Sequence, residues 1–96
     1  MKTNTAIENK LKELKPILYQ KYFVEKIGYF GSYARSEQNQ NSDIDILVSL
    51  KKPLGWEFFD LQEFLENELK IKVDLVSEKA LKAQLRQIIL NNVKYI

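Results

Sequence analysis

Gly31 to Val48 reads GSYARSEQNQNSDIDILV: a Gly-Ser pair, ten intervening residues, then two aspartates flanking one isoleucine. The apolar run ILV after Asp45 makes the end of this stretch a strand, expected from Asp43 to about Leu50. Alternate side chains of a strand point to opposite faces, so Asp43 and Asp45 share one face while Ile44, Ile46 and Val48 share the other. The isoleucines belong to the core. The two aspartates then stand one pleat apart, with Cα atoms roughly 6.5 to 7 Å from each other. Their carboxylates can lean together onto one cation, and without a cation they repel.

Upstream, Val24 to Phe30 (VEKIGYF) is a short β-branched and aromatic run and reads as the strand that delivers Gly31 and Ser32. Gly31 lacks a Cβ and lets backbone approach a ligand closely. Ser32 is expected to cap one or two helical turns over Tyr33 to Glu37, whose free N–H groups attract an anion such as phosphate. Its hydroxyl could bond the same anion. Arg35, one turn later, either reaches that anion with a forked pair of donors or forms a surface pair with Glu37. Gln38 to Ser42 (QNQNS) has no apolar residue to bury and reads as a connector.

Downstream, Lys72 to Val76 (KVDLV) reads as a third strand with Val73 and Leu75 on one face and Asp74 on the other. If this strand neighbours the D-x-D strand, Asp74 joins Asp43 and Asp45, giving a group of carboxylates that makes most sense with a divalent metal. Oxygen donors alone favour Mg²⁺ or Mn²⁺ over zinc. A lone D-x-D is weak evidence, but here it is combined with a Gly-Ser turn, a polar connector and a further aspartate inside an apolar strand.

Around these strands the pattern is helical. Ile7, Leu11, Leu14 and Leu18 predict a helix from Thr5 to about Tyr22, kinked or split near Lys15 by Pro16. Phe58, Leu61, Leu65 and Leu69 predict a second helix over Trp56 to Leu69, with Trp56, Phe59 and Phe64 widening its apolar arc toward the core or a partner. Ser77 is placed as the cap of a last helix with Leu81, Leu85, Ile88 or Ile89, and Val93 along one side. The expected fold is one α+β domain over residues 1–96, a small sheet covered by helices.

Composition narrows the chemistry. At 96 residues there is room for one core, and 45% hydrophobic content is enough to pack it. Fifteen Lys and Arg against thirteen Asp and Glu leave no basic stripe for nucleic acid. With no Cys and no His, disulfides, zinc-thiolate sites, thiol nucleophiles and histidine bases are excluded, so catalysis must run on carboxylates, hydroxyls, Lys, Arg or a hard metal. No membrane helix or signal-peptide core is visible, and a cytoplasmic protein is expected.

The set FGSYAR (30–35), SDIDILV (42–48) and KVDLV (72–76) resembles the minimal nucleotidyltransferases of the polymerase beta-like nucleotidyltransferase superfamily. The resemblance implies transfer of AMP from ATP to a hydroxyl with release of pyrophosphate. In that scheme Asp43 and Asp45 hold Mg²⁺ on the triphosphate, Gly31 and Ser32 position its outer phosphates, and Asp74 ligates a second metal or deprotonates the acceptor. It further implies the antitoxin of a type VII-like pair, whose partner is a HEPN-type toxin modified on a tyrosine. The expected assembly is a hetero-oligomer, or a homodimer when the chain is alone. Two alternatives are a non-catalytic antitoxin that occludes its partner and a small-molecule nucleotidyltransferase. One departure is Ser36, where the family usually has Gly. If that position needs positive φ, a serine there is strained by around 1 kcal/mol or more.

Overall fold

The computed structural model describes residues 3–96. Helix α1, Asn4–Tyr22, begins at Thr3, whose hydroxyl accepts from the Ala6 N–H at 3.2 Å. Its buried residues are the four the spacing predicts, Ile7, Leu11, Leu14 and Leu18, together with Tyr22 one turn further on. Of the kink or split expected near Lys15, the split does not occur: α1 runs through Pro16. Pro16 and Lys12, whose carbonyl loses its donor, are both exposed residues, so water can satisfy the orphaned group. The helix ends at Phe23 in the left-handed region, where its N–H reaches the carbonyls of Leu18 and Tyr19.

The strands are β1 (Val24–Phe30), β2 (Ile44–Leu50), β3 (Val73–Ser77) and β4 (Lys94–Tyr95), in the order β3-β2-β1-β4. β1 is antiparallel to both its neighbours, whereas β2 and β3 run parallel, joined through helix α3, Glu57–Leu69. Helices α1 and α3 pack on one another and on the sheet, and the buried Ile27, Tyr29, Ile44, Ile46 and Val48 belong to the same core. Two polar links tie this layer down. The Tyr29 hydroxyl bonds Glu8 of α1 at 2.5 Å, and Glu66 of α3 accepts the Val73 N–H at 2.9 Å, fixing the start of β3.

The sheet has one strand more than the sequence reading expects. β4 pairs Tyr95 with Gly28 and Lys94 with Tyr29, and the Ile96 N–H donates to the Ile27 carbonyl at 2.9 Å. A side chain at Gly28 would meet the Lys94 carbonyl at 2.7 Å, so a glycine in the middle of β1 is what lets β4 approach.

Two expectations, the cap and the apolar face of the last helix, are corrected, and the open alternative for the aromatic residues of α3 is decided. Leu61, Leu65 and Leu69 of α3 are buried as predicted, and Phe64 stacks at 5.8 Å on Tyr22, but Trp56 is 84% exposed and Phe59 63%. Trp56 lies just outside the helix, and Phe59, two residues before Leu61, is roughly 200° around it from the core side. Ser77 does not cap the last helix. It ends β3 in register with Val48, a 3-10 turn follows at Glu78–Ala80, and helix α4 spans Ala83–Asn92. Nor does α4 bury a face: Leu85 and Ile88 are exposed and none of its residues is buried.

Candidate active site

Strand pairing assembles the predicted residues. Phe30 at the end of β1 pairs with Asp45, and Asp45 in turn is the register partner of Asp74 on β3. Asp43, the expected strand start, immediately precedes β2, which begins one residue later. Asp43 and Asp74 are exposed and Asp45 is half-buried. Burial raises the Asp45 carboxyl above the ordinary carboxylate range, and the charges of Asp74 and then Asp43 raise it further, while Arg35 opposes them. Asp45 therefore senses both of its neighbours. As oriented, however, no three acidic side chains among the described residues stand close enough to hold one ion together.

Gly31 adopts φ +71, and a Cβ built on it would overlap Asp45 Oδ2. Both the dihedral and the space demand glycine, which ties the turn physically to the aspartate. The following helix α2 is a single turn, Gly31–Ala34, with Phe30 rather than Ser32 as its cap residue. Ser32 sits inside it, and its carbonyl accepts the Glu37 N–H at 2.8 Å. The expected helix over Tyr33 to Glu37 is cut short at Ser36, which adopts φ +58. The departure from the family's glycine thus falls on a left-handed residue. Replacing it, Ser36→Gly, is expected to stabilise the fold by about 0.5 to 1 kcal/mol, read by urea denaturation. Arg35 donates to Glu37 at 2.6 Å in an exposed pair and makes no other side-chain bond among the described residues. Of its two expected roles, the surface pair is the one seen, and such pairs are individually weak.

The connector is more ordered than its composition suggests. Asn39 Oδ1 accepts the Asn41 N–H at 2.8 Å and Ser42 Oγ accepts the Asn39 N–H at 2.9 Å, a compact polar turn that presents Asp43. Asn4 bonds the Tyr33 carbonyl at 2.9 Å and Gln38 at 3.0 Å, anchoring α2 and the connector to α1. A cleft of about 610 Å³ opens beside Asp43, lined also by Tyr33, Ser42, Lys70 and Lys72. Burial, and secondarily the Asp43 charge, raises the Tyr33 phenol and keeps it a neutral hydroxyl. The sequence reading did not single out Lys70, Lys72 or Tyr33. The signal for Lys72 was present, since it alternates with Asp74 in the same strand pattern.

A one-turn Gly-Ser motif lies against the strand that follows Asp43 and carries Asp45, with a third aspartate in register. The chain belongs to the nucleotidyltransferase domain family, which it matches over residues 8–96, and it is an enzyme of that class, a minimal nucleotidyltransferase. It is 39% identical over 97 residues to protein adenylyltransferase MntA of Thermococcus cleftensis, covering 100% of this chain and 98% of that one. Its fold is similar to that in a toxin-antitoxin crystal structure with AMP-PNP, with a TM-score of 0.77 and 31% identity, covering 92% of this chain and 70% of that one. A chain of the complex between a tri-AMPylated HEPN toxin and MNT antitoxin of Shewanella oneidensis is also similar, with a TM-score of 0.70 and 27% identity, covering 95% and 69%. No helix among the described residues is long and apolar enough to cross a membrane.

Proposed function

We propose that this chain is a Mg²⁺-dependent protein adenylyltransferase that moves AMP from ATP to a hydroxyl, a tyrosine, of a HEPN-type toxin and thereby acts as its antitoxin. The observation that carries the reading is the register pair Asp45–Asp74 beside Gly31, which sets carboxylates against a turn that only glycine can make. The relatives named above support a protein acceptor and a HEPN-type partner. The donor set fits the metal: Asp43, Asp45 and Asp74 offer oxygen only, the choice of Mg²⁺ and Mn²⁺, and their crowding is what a divalent cation relieves. Bound there, the metal would polarise the phosphoryl group and neutralise developing charge.

The residues of the chain divide the remaining work. Gly31 and Ser32 bring backbone close to the outer phosphates, with Arg35 free to leave its weak exposed pair for the same anion. The acceptor oxygen bonds to the α-phosphorus as the bond to the pyrophosphate oxygen breaks. Asp74, exposed on the β3 side, takes the hydroxyl proton, and pyrophosphate departs.

The test is transfer of label from α-³²P-ATP to a purified HEPN partner in Mg²⁺, with an EDTA control. Labelled tyrosine that disappears with chelation is expected, and no label on any partner protein would sink the reading. The exposed Trp56 and Phe59 favour a second reading, neutralisation by occlusion. Under it, a chain unable to transfer AMP would still silence its partner at full strength.

A further inference from the structure

Beside the carboxylates stands a pair of lysines that the motif does not include. The Ile44 N–H donates to the Lys72 carbonyl at 3.0 Å, so the backbone of Lys72 is fixed against the step from Asp43 to Ile44. Strand alternation puts Lys72 on the face of Asp74, and the register that joins Asp45 to Asp74 carries Lys72 level with Asp43. Lys70 lies at the other end of the same short loop, and both lysines line the cleft with Asp43 and Tyr33. Both are exposed and neither forms an ion pair among the described residues.

Lys70 also carries strain. It terminates α3 at φ +59, with its N–H on the Glu66 carbonyl at 2.8 Å. That position is where helices ordinarily place glycine, so a lysine there opposes the local backbone preference. Phe23 ends α1 in the same conformation, so strain alone marks no site; at Lys70 it coincides with the cleft beside Asp43. The nucleoside triphosphate of the proposed reaction is a polyanion that must settle against three carboxylates, and Arg35, once it leaves its exposed pair with Glu37, brings a single cation to it.

We propose that Lys70 and Lys72 form a cationic wall that holds the phosphate chain of the nucleoside triphosphate from the β3 side, opposite the Gly31–Ser32 turn. The assignment rests on the nucleotidyltransferase reading and adds binding residues to it. Equilibrium binding of a non-hydrolysable ATP analogue in Mg²⁺ to wild type, Lys70→Gly, Lys72→Met and Lys72→Arg tests it, with thermal melts run in parallel. Lys70→Gly and Lys72→Met are expected to weaken binding about tenfold each, and Lys72→Arg to retain most of the affinity. Lys70→Gly should also melt at a higher temperature than wild type, which separates lost binding from lost folding. Unchanged affinity in either variant removes that lysine from the wall, and unchanged affinity in both overturns the assignment, even if the KM for the acceptor rises. A wild-type chain that transfers AMP and binds the analogue leaves the transferase reading standing in that case, whereas one that binds no nucleotide overturns both.

Discussion

Replacing Asp43 and Asp45 together by asparagine is expected to lower AMP transfer by about a thousandfold or more, the scale of losing several kcal/mol of charge stabilisation on the phosphoryl group. The same change should leave the fold intact and, in metal-free buffer at neutral pH, raise its melting temperature. The sign follows from Asp45. Its native carboxyl is raised by burial and by the charges of Asp74 and Asp43, so the ionised form is disfavoured in the folded state. The stability this group contributes is fully present below the ordinary carboxylate range and is lost as pH rises through its elevated native value. Asparagine carries no such penalty. Thermal melts of wild type and of the single variant Asp45→Asn across pH 3 to 8 should therefore diverge as pH rises. Added Mg²⁺ should stabilise the wild type alone. A double variant that still transfers label within tenfold of wild type would remove these aspartates from the chemistry.

Gly31→Ala is expected to combine the two losses. Alanine at φ +71 is strained, and its Cβ would collide with Asp45 Oδ2, so either the aspartate rotates away or the turn shifts. We expect a stability loss of about 1 to 3 kcal/mol in urea denaturation. Transfer should fall roughly a hundredfold, because misplacing a reacting group by about 1 Å carries that scale of penalty. Circular dichroism and a single-turnover assay on the folded fraction separate the two effects. Near-normal transfer from a destabilised variant would show that the turn positions nothing.

What the sequence disclosed follows from the range of the signals it carries. Alternation and helical spacing act over a few residues, so α1, α3, the first three strands and the shared face of Asp43 and Asp45 were legible. The third carboxylate was legible too, because KVDLV repeats the alternation and the parallel pairing matches Asp74 to Asp45. The short strand β4 was not, since two residues have no period, and its trace was an interior glycine, Gly28, whose meaning depends on a strand brought to it from the far end of the chain. The apolar residues of α4 read as a core face because spacing says which residues share a side, not whether anything lies beneath them. For Trp56 and Phe59 spacing leaves core and partner surface both open, and their exposure removes the core. Lys70 and Lys72 were invisible as a pair because one ends a helix and the other precedes a strand, and the cleft that unites them arises only when β2 and β3 lie side by side.

The pairing of β2 with β3 also says how such a site could change its trade. Asp45 and Asp74 are aligned by Ile44, Ile46 and Val73, which are buried on the opposite face, and a slip of one residue would turn those side chains into water. The carboxylates are thus passengers on a frame built from aliphatic side chains that never touch substrate. A descendant could exchange every aspartate and keep the same frame and the surface built on it.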